Sequence, residues 1–293
     1  MFLTGKEHVS YRKALNVLFT RKALGSVPSA DFRDLALPDI IPHSLYFDIQ
    51  DRVTREHFRD WVSSDGQAHP IMMTARHLNM DTALRVFCGD HIPPIATREI
   101  SDKYWDITRA LELVNFPLAI PGTKVYRAIQ ARKVAFKWLV QGAANSKIHM
   151  ANGGEVTCML DAWLQTIQDP EWKGRREFSD REMGMVLFSF LFASQDAMSS
   201  GLIYAFQHLG DHPEIFARVR EEQDRVRGDS TNPMTLELLN DMPYLNAVVK
   251  ESLRVKPPVI MVTIVSPLCN LRKVAHRMSV GSLQDYPRFP YLR

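Results

Sequence analysis

The chain has 293 residues, of which 45% are hydrophobic and 24% charged, with a net charge of +3; that is enough apolar content for one large core or two modest ones. Its three cysteines, Cys88, Cys158 and Cys269, are odd in number and far apart, which argues against a disulfide framework and for a reducing compartment. There is no CxxC pair, HExxH helix, GxGxxG turn or P-loop, so zinc and nucleotide-phosphate chemistry have no signature and no metal ligands are assigned.

The charge is unevenly placed. From Thr263 onward Arg272, Lys273, Arg277, Arg288 and Arg293 face one acid, Asp285, so this tail carries +4 and the remainder −1. The overall pI is therefore no ground for a nucleic-acid partner, and none is expected. Met1-Phe2-Leu3 runs straight into Lys6-Glu7-His8 with neither a signal peptide nor an anchor, which taken alone reads as soluble.

In chain order, Lys6 to Leu24 reads as a helix with His8, Arg12, Leu15 and Phe19 on one face. A His and an Arg one turn apart suit a carboxylate or phosphate, or make a solvated basic edge. Val27 to Pro42 is loop-like. Helical patterns follow at Leu45 to Val62, Asp81 to Cys88 and Thr97 to Asn115. Asn115 to Thr123, reading NFPLAIPGT, is a loop of unusual apolarity, since connections are normally polar and exposed. It packs beneath another element or touches lipid or an apolar ligand. Val125 to Ala144 is a basic helix, 151–154 a turn and Glu155 to Ile167 a shorter helix, with a charged loop leading to Ser179.

Arg181 to Gly210 is the organising stretch. Apolar residues fill nearly every position from Met185 to Ala193, which predicts a long helix that is apolar all round. Ser179 and Glu182 form a capping box that sets its start. The apolar run is interrupted by Ala193-Ser194-Gln195-Asp196, then Ala197-Met198-Ser199-Ser200. Three readings stay open locally: a membrane span, a core helix with a satisfied acid, or a helix lying over a flat cofactor. Asp211 then caps His212 to Arg227, with Ile215, Phe216 and Val219 inward. Asp241 caps the last clear helix, to Val255, whose stripe is Leu245, Val248, Val249 and Leu253. Glu251 and Arg254 lie at i, i+3 and are neighbours. Only Val259 to Val265 alternates as a strand does. The fold class is mainly α.

The order and spacing of these signals carry a resemblance. His8-x-x-x-Arg12 comes first, then Phe116-Pro117-Leu118-x-x-Pro121-Gly122-Thr123, then Ala193-Ser194-Gln195-Asp196 at the middle of a long helix. His212-Pro213-Glu214 follows, and Met242-Pro243-Tyr244-Leu245 leads to Lys250-Glu251-Ser252-Leu253-Arg254. This resembles the cytochrome P-450 family, and within it the fungal sterol C-22 desaturase branch of ergosterol synthesis. Thr4-Gly5-Lys6-Glu7-His8, Phe19 to Leu24 and Phe192-Ala193-Ser194-Gln195-Asp196 support that branch. The resemblance runs from about Phe2 to Val262. It implies a partial P-450 domain at 1–262, missing the membrane anchor and the cysteine loop, and an off-family tail at 263–293 expected to be a gene-model artefact.

The resemblance also implies roles. Arg12 and His8 would hold a haem propionate. Ala193 and Ser194 would lie over the distal haem face, where small side chains leave room for dioxygen. Asp196 would belong to a proton-delivery network, although Ala197 and Met198 follow it where hydroxyls are usual. Glu251 and Arg254 would brace the haem pocket. Phe116, Leu118, Phe190, Val259 and Met261 would contact the sterol. Electrons would come from NADPH through a cytochrome P-450 reductase at the endoplasmic reticulum membrane. The family's axial thiolate sits in a Phe-x-x-Gly-x-x-x-Cys loop, and none of the three cysteines lies in one. The chain as written is therefore expected to be inactive, and a non-catalytic helical fragment that binds sterol or a protein partner is the alternative.

Overall fold

The computed structural model describes residues 43–63, 70–110, 119–168, 177–229 and 231–258. All of them fall in the first of two units, Met1–Pro258; the strand expected at 259–265 and the tail at 263–293 lie outside the described residues. Among the described residues the α-helices are α1 (His43–Ser63), α2 (Ile71–Cys88), α3 (Pro94–Arg109), α4 (Lys124–Ala151), α5 (Met159–Gln168), α6 (Asp180–Asp211), α7 (Pro213–Arg227), α8 (Leu236–Asn240) and α9 (Pro243–Val255), and no strand is present. The mainly α expectation holds. The pattern at Asp81 to Cys88 was only the second half of α2, and the basic helix runs on to Ala151. The five-residue α8 is too short to carry a period.

Capping chemistry explains several boundaries. Ser179 Oγ accepts from Glu182 N at 3.2 Å while Glu182 Oε2 accepts from Ser179 N at 2.9 Å, so the capping box opens α6 as expected. Thr123 Oγ1 accepts from Tyr126 N at 3.2 Å and starts α4. Pro213 and Pro243 occupy first-turn positions, where a missing N–H costs nothing. Two expected caps are corrected: His212 and Met242, not Asp211 and Asp241, hold the N-cap positions of α7 and α9, and neither makes a side-chain cap bond. For α9 the cap comes from another helix. Buried Glu222 of α7 accepts from Tyr244 N at 2.9 Å and Leu245 N at 2.8 Å, placing a carboxylate on a helix N-terminus.

The axis of the fold is α6, 32 residues long and so about 48 Å. Helices α2 and α4 pack along it, and α7 and α9 gather at its far end. Its buried residues are Met183, Gly184, Val186, Leu187, Leu191, Gln195 and Ser199, a single stripe at i, i+4 spacing. Phe192 and Met198 are 39% and 62% exposed. The helix is apolar all round as expected, yet among the described residues its buried positions form one stripe, and apolar side chains on the other side stay exposed. Its length and mean hydropathy of 1.3 would also suit a membrane span. The stripe packs it against α2, where Gln195 Nε2 donates to Arg76 O and Asp196 pairs with Arg76.

The closest approach of α4 to α6 falls at Gly184. A methyl there would lie 2.7 Å from Val140 Cγ2 and 3.2 Å from Val140 N, so the two backbones touch only because the side chain is missing. Leu139, Leu187 and Leu191 close the core around that crossing with Ile100, Tyr104 and Trp163, each at most 1% exposed; a fully buried aliphatic side chain of this kind stabilises by about 1.5–3 kcal/mol. The outer elements are less covered. Phe216 on α7 is 45% exposed, and Val249 and Leu253 on α9 are 43% and 41% exposed, so part of each expected stripe faces outward.

Candidate functional site

The polar break in α6 meets a buried arginine on α2. Arg76 is 7% exposed and its Nη1 donates to Asp196 Oδ1. Its Nη2 donates to Thr108 Oγ1 on α3 at 3.2 Å, and its guanidinium lies 4.4 Å from the centre of the Trp105 ring, an arrangement that favours a planar cation. Gln195 Nε2 donates to Arg76 O at 2.7 Å, and Asn79 Nδ2 donates to Ser199 Oγ at 3.0 Å. Gln195, Asp196 and Ser199 are therefore stitched to α2 through Arg76 and Asn79, residues of one turn. Tyr104 of α3 lies nearby, its hydroxyl buried and pushed up by desolvation and by the Asp196 charge. The Tyr104 hydroxyl and Gln195 Oε1 have no hydrogen-bond partner among the described residues.

Only one side of the break is closed. Ala193 is exposed and Ser194 half-buried, with Ser194 Oγ donating to Leu191 O at 3.3 Å. The Asp196 side chain is 36% exposed. A small residue, a hydroxyl and a carboxylate thus share an open stretch of helix whose far side is rigidly held. Phe190 is half-buried against the main core, 6.3 Å from the Phe87 ring.

Further along, α9 crosses α6 at Gly201, where an added methyl would meet Leu253 Cδ2 at 3.6 Å. Arg254 Nε and Nη2 donate to Glu251 Oε2 and Oε1 at 2.7 and 2.6 Å, a bidentate fork. That hydrogen bonding pushes the Glu251 pKa down. His8, Arg12, Phe116, Leu118, Val259 and Met261 lie outside the described residues.

A second polar cluster escaped the sequence reading. Asp161 is fully buried at the start of α5; its Oδ1 meets His91 Nε2 at 2.7 Å and accepts from Ser146 Oγ at 2.5 Å, and its Oδ2 accepts from Thr157 N and Oγ1 at 3.0 and 2.8 Å. Burial alone would push this carboxyl up, but the hydrogen bonds from His91, Ser146 and Thr157 outweigh it and hold the pKa well below the usual range. Cys158 lies within 4.8 Å of the His91 and Asp161 ligand atoms. Cys88 and Cys158 are both fully buried; desolvation, reinforced by the Asp161 charge, pushes Cys88 up to about 12 and Cys158 well above the usual thiol value. Neither is a thiolate at neutral pH. The only local signal for this cluster was an acid inside the apolar run Met159-Leu160-Asp161-Ala162-Trp163-Leu164, as Arg76 was the one cation in Ile71 to Leu84 besides His77.

The family model for cytochrome P450 matches residues 33–266. The chain belongs to the cytochrome P450 family. It is 38% identical over 285 residues to the C-22 sterol desaturase erg5 of Aspergillus fumigatus, covering 89% of this chain and 51% of that protein. The C-22 sterol desaturase ERG5 of Saccharomyces cerevisiae is 36% identical over 271 residues, covering 89% of this chain and 47% of that protein. The chain therefore spans about half the length of the curated relatives it matches. Among solved structures, a retinoic acid-bound cyanobacterial CYP120A1 matches at a TM-score of 0.63 and 22% identity, over 87% of this chain and 51% of that one. A zebra fish cytochrome P450 with progesterone gives 0.66 at 17% identity, over 87% of this chain and 55% of that one. These structural matches speak to the fold alone. They agree with a mainly α arrangement built along one long central helix.

Proposed function

We propose that these residues are the helical part of a haem-dependent sterol C-22 desaturase, a monooxygenase-type oxidoreductase of ergosterol biosynthesis. The observation that carries this reading is the 36–38% identity to C-22 sterol desaturases of three fungi across about nine-tenths of the chain. A cytochrome P450 monooxygenase, oblE of Emericella variicolor, matches at 37%, so the sterol assignment rests on the number of desaturases and on the Phe192 to Asp196 segment rather than on identity alone. The partners are a sterol, dioxygen and an NADPH-cytochrome P-450 reductase at the endoplasmic reticulum membrane.

The residues present fit one face of a haem. Ala193, exposed on α6, lets a flat group approach the helix backbone, and Ser194 adds a hydroxyl beside it. When bound, haem supplies the oxygen activation that removes hydrogens from the sterol side chain. Asp196 is held through Oδ1 by Arg76 while its side chain stays 36% exposed, so its carboxylate can accept and pass a proton. The Glu251–Arg254 fork braces the proximal side, and His8 and Arg12 hold a propionate. Phe190 and the segments with Phe116, Leu118, Val259 and Met261 contact the sterol.

An axial ligand is a different matter. Cys88 and Cys158 are buried, neutral thiols bound into the α2, α4 and α5 core, and Cys269 is not in a Phe-x-x-Gly-x-x-x-Cys loop. Residues 1–262 thus act as a partial P450 domain that makes no thiolate-ligated iron by itself, and 263–293 as a tail outside that domain. The test is to express residues 1–293 with haem and record the ferrous–CO spectrum. A spectrum without the thiolate band is expected; the thiolate band refutes the assignment. The exposed Phe192, Met198 and Leu253 favour one second reading, a non-catalytic helical fragment that binds sterol or a protein partner. Saturable ergosterol-precursor binding without haem supports that reading.

A further inference from the structure

The outer groove between α4 and the first turns of α6 lies apart from the polar break and has no role above. It has a volume of about 350 Å³ and is lined by Phe136, Lys137, Val140, Gln141 and Ala144 of α4 and by Arg181 of α6. Gly184 brings α6 against Val140, one of the lining residues. Phe136, Val140 and Ala144 give it an apolar lining.

Its two charged lining residues, Arg181 and Lys137, are both cations. Arg181 lies 5.3 Å from the centre of the Phe136 ring, and Arg132 lies 5.9 Å from the same ring. Lys137 and Lys133 are exposed on the same helix. None of these four cations has an ion-pair partner among the described residues. The acids that flank Arg181 in sequence are engaged elsewhere: Asp180 Oδ1 pairs with Lys147 Nζ at 2.7 Å, and Glu182 holds the Ser179 cap. Helix α4 itself contains no Asp or Glu in 28 residues. Unneutralised Arg181 and Lys137 in the lining, with Arg132 beside the Phe136 ring, make a local positive potential that one small anion relieves. The cavity is of a size that takes a small ligand.

We propose that this groove binds a small anionic amphiphile: a phosphate or carboxylate head held by Arg181 and Lys137, with a short apolar tail on Phe136, Val140 and Ala144. Arg181 supplies a planar fork for the oxyanion and Lys137 a point charge. The Phe136 ring, already faced by two guanidinium groups, supplies the surface for the first carbons of the tail. This site is independent of the haem-dependent reading and stands whether or not the chain has sterol chemistry.

The test is calorimetric titration of the purified 293-residue chain with octyl phosphate, kept monomeric, beside n-octanol and inorganic phosphate as separate halves of the ligand. One-to-one saturable binding of octyl phosphate is expected, with each half at least about ten-fold weaker, which is about 1.4 kcal/mol. The Arg181→Gln/Lys137→Gln double variant loses about ten-fold or more while its circular dichroism is unchanged, since both side chains are exposed. Ala144→Phe fills the groove and blocks binding by bulk alone. Equal affinity for n-octanol, or wild-type affinity in either variant, overturns the proposal. So does sedimentation with phosphatidate vesicles without saturable uptake of monomeric octyl phosphate, which identifies a lipid surface instead of a discrete site.

Discussion

Removing Asp196 is expected to cost more stability than removing the arginine it pairs with. Asp196→Ala leaves the Arg76 guanidinium, whose side chain is 8% exposed, with only Thr108 Oγ1 and the Trp105 face to satisfy it. Breaking a fully buried ion pair from one side costs about 3–5 kcal/mol. The Asp196 side chain is 36% exposed, so solvent already screens its end of the pair, and about 2–3 kcal/mol is expected. Arg76→Met keeps most of the packing against Trp105 and leaves a carboxylate that water can reach, so about 1–2 kcal/mol is expected. The double variant removes both charges and should be more stable than the two single losses added together predict, with a coupling of about 1–2 kcal/mol. Urea denaturation followed by circular dichroism reads all three, and thermal melts should fall by roughly 2–4 °C per kcal/mol for a body of this size. A loss under about 0.5 kcal/mol for Asp196→Ala, or strict additivity in the double variant, refutes the view that Arg76 is held as a buried cation by this carboxylate.

Gly184→Ala pushes a methyl to 2.7 Å from Val140 Cγ2 and against Val140 backbone; a loss of about 1–3 kcal/mol is expected, and Val140→Ala should recover only part of it because the backbone contact remains. Asp161 has a lowered folded-state pKa, so the stability it contributes is full above the ordinary carboxyl value near 4 and is lost as pH falls through the lower folded value. Asp161→Asn should therefore be destabilised at pH 7, with its deficit shrinking toward strong acid; a deficit that does not change with pH would sink the idea. Cys88 and Cys158 are buried and their thiols pushed up, so iodoacetamide should leave both unmodified in the native protein and label both in urea, as peptide mass spectrometry reports. Glu222→Gln should weaken the cap on Tyr244 N and Leu245 N and cost about 0.5–2 kcal/mol, the range of a lost N-cap.

The sequence by itself determined those features that depend on near neighbours in the chain. The capping box at Ser179 and Glu182, the prolines that open α7 and α9, the Glu251–Arg254 fork and the length of α6 all rest on contacts within four residues, and local chemistry is enough to specify them. It also determined membership, because the ordered motifs survive in a chain matched by the family model over residues 33–266. Tertiary structure alone decided which sides of the helices are covered. A helix as apolar as α6 has no stripe to read, so only the positions of α2 and α4 reveal that Leu187, Leu191 and Gln195 face inward while Phe192 and Met198 do not. The partners of the buried charges were equally out of reach. Arg76 finds Asp196 across 120 residues, His91 finds Asp161 across 70, and Glu222 caps a helix 22 residues away. A charge carries no local mark of its partner; it becomes affordable in a core only when folding brings the opposite group or a row of donors to it.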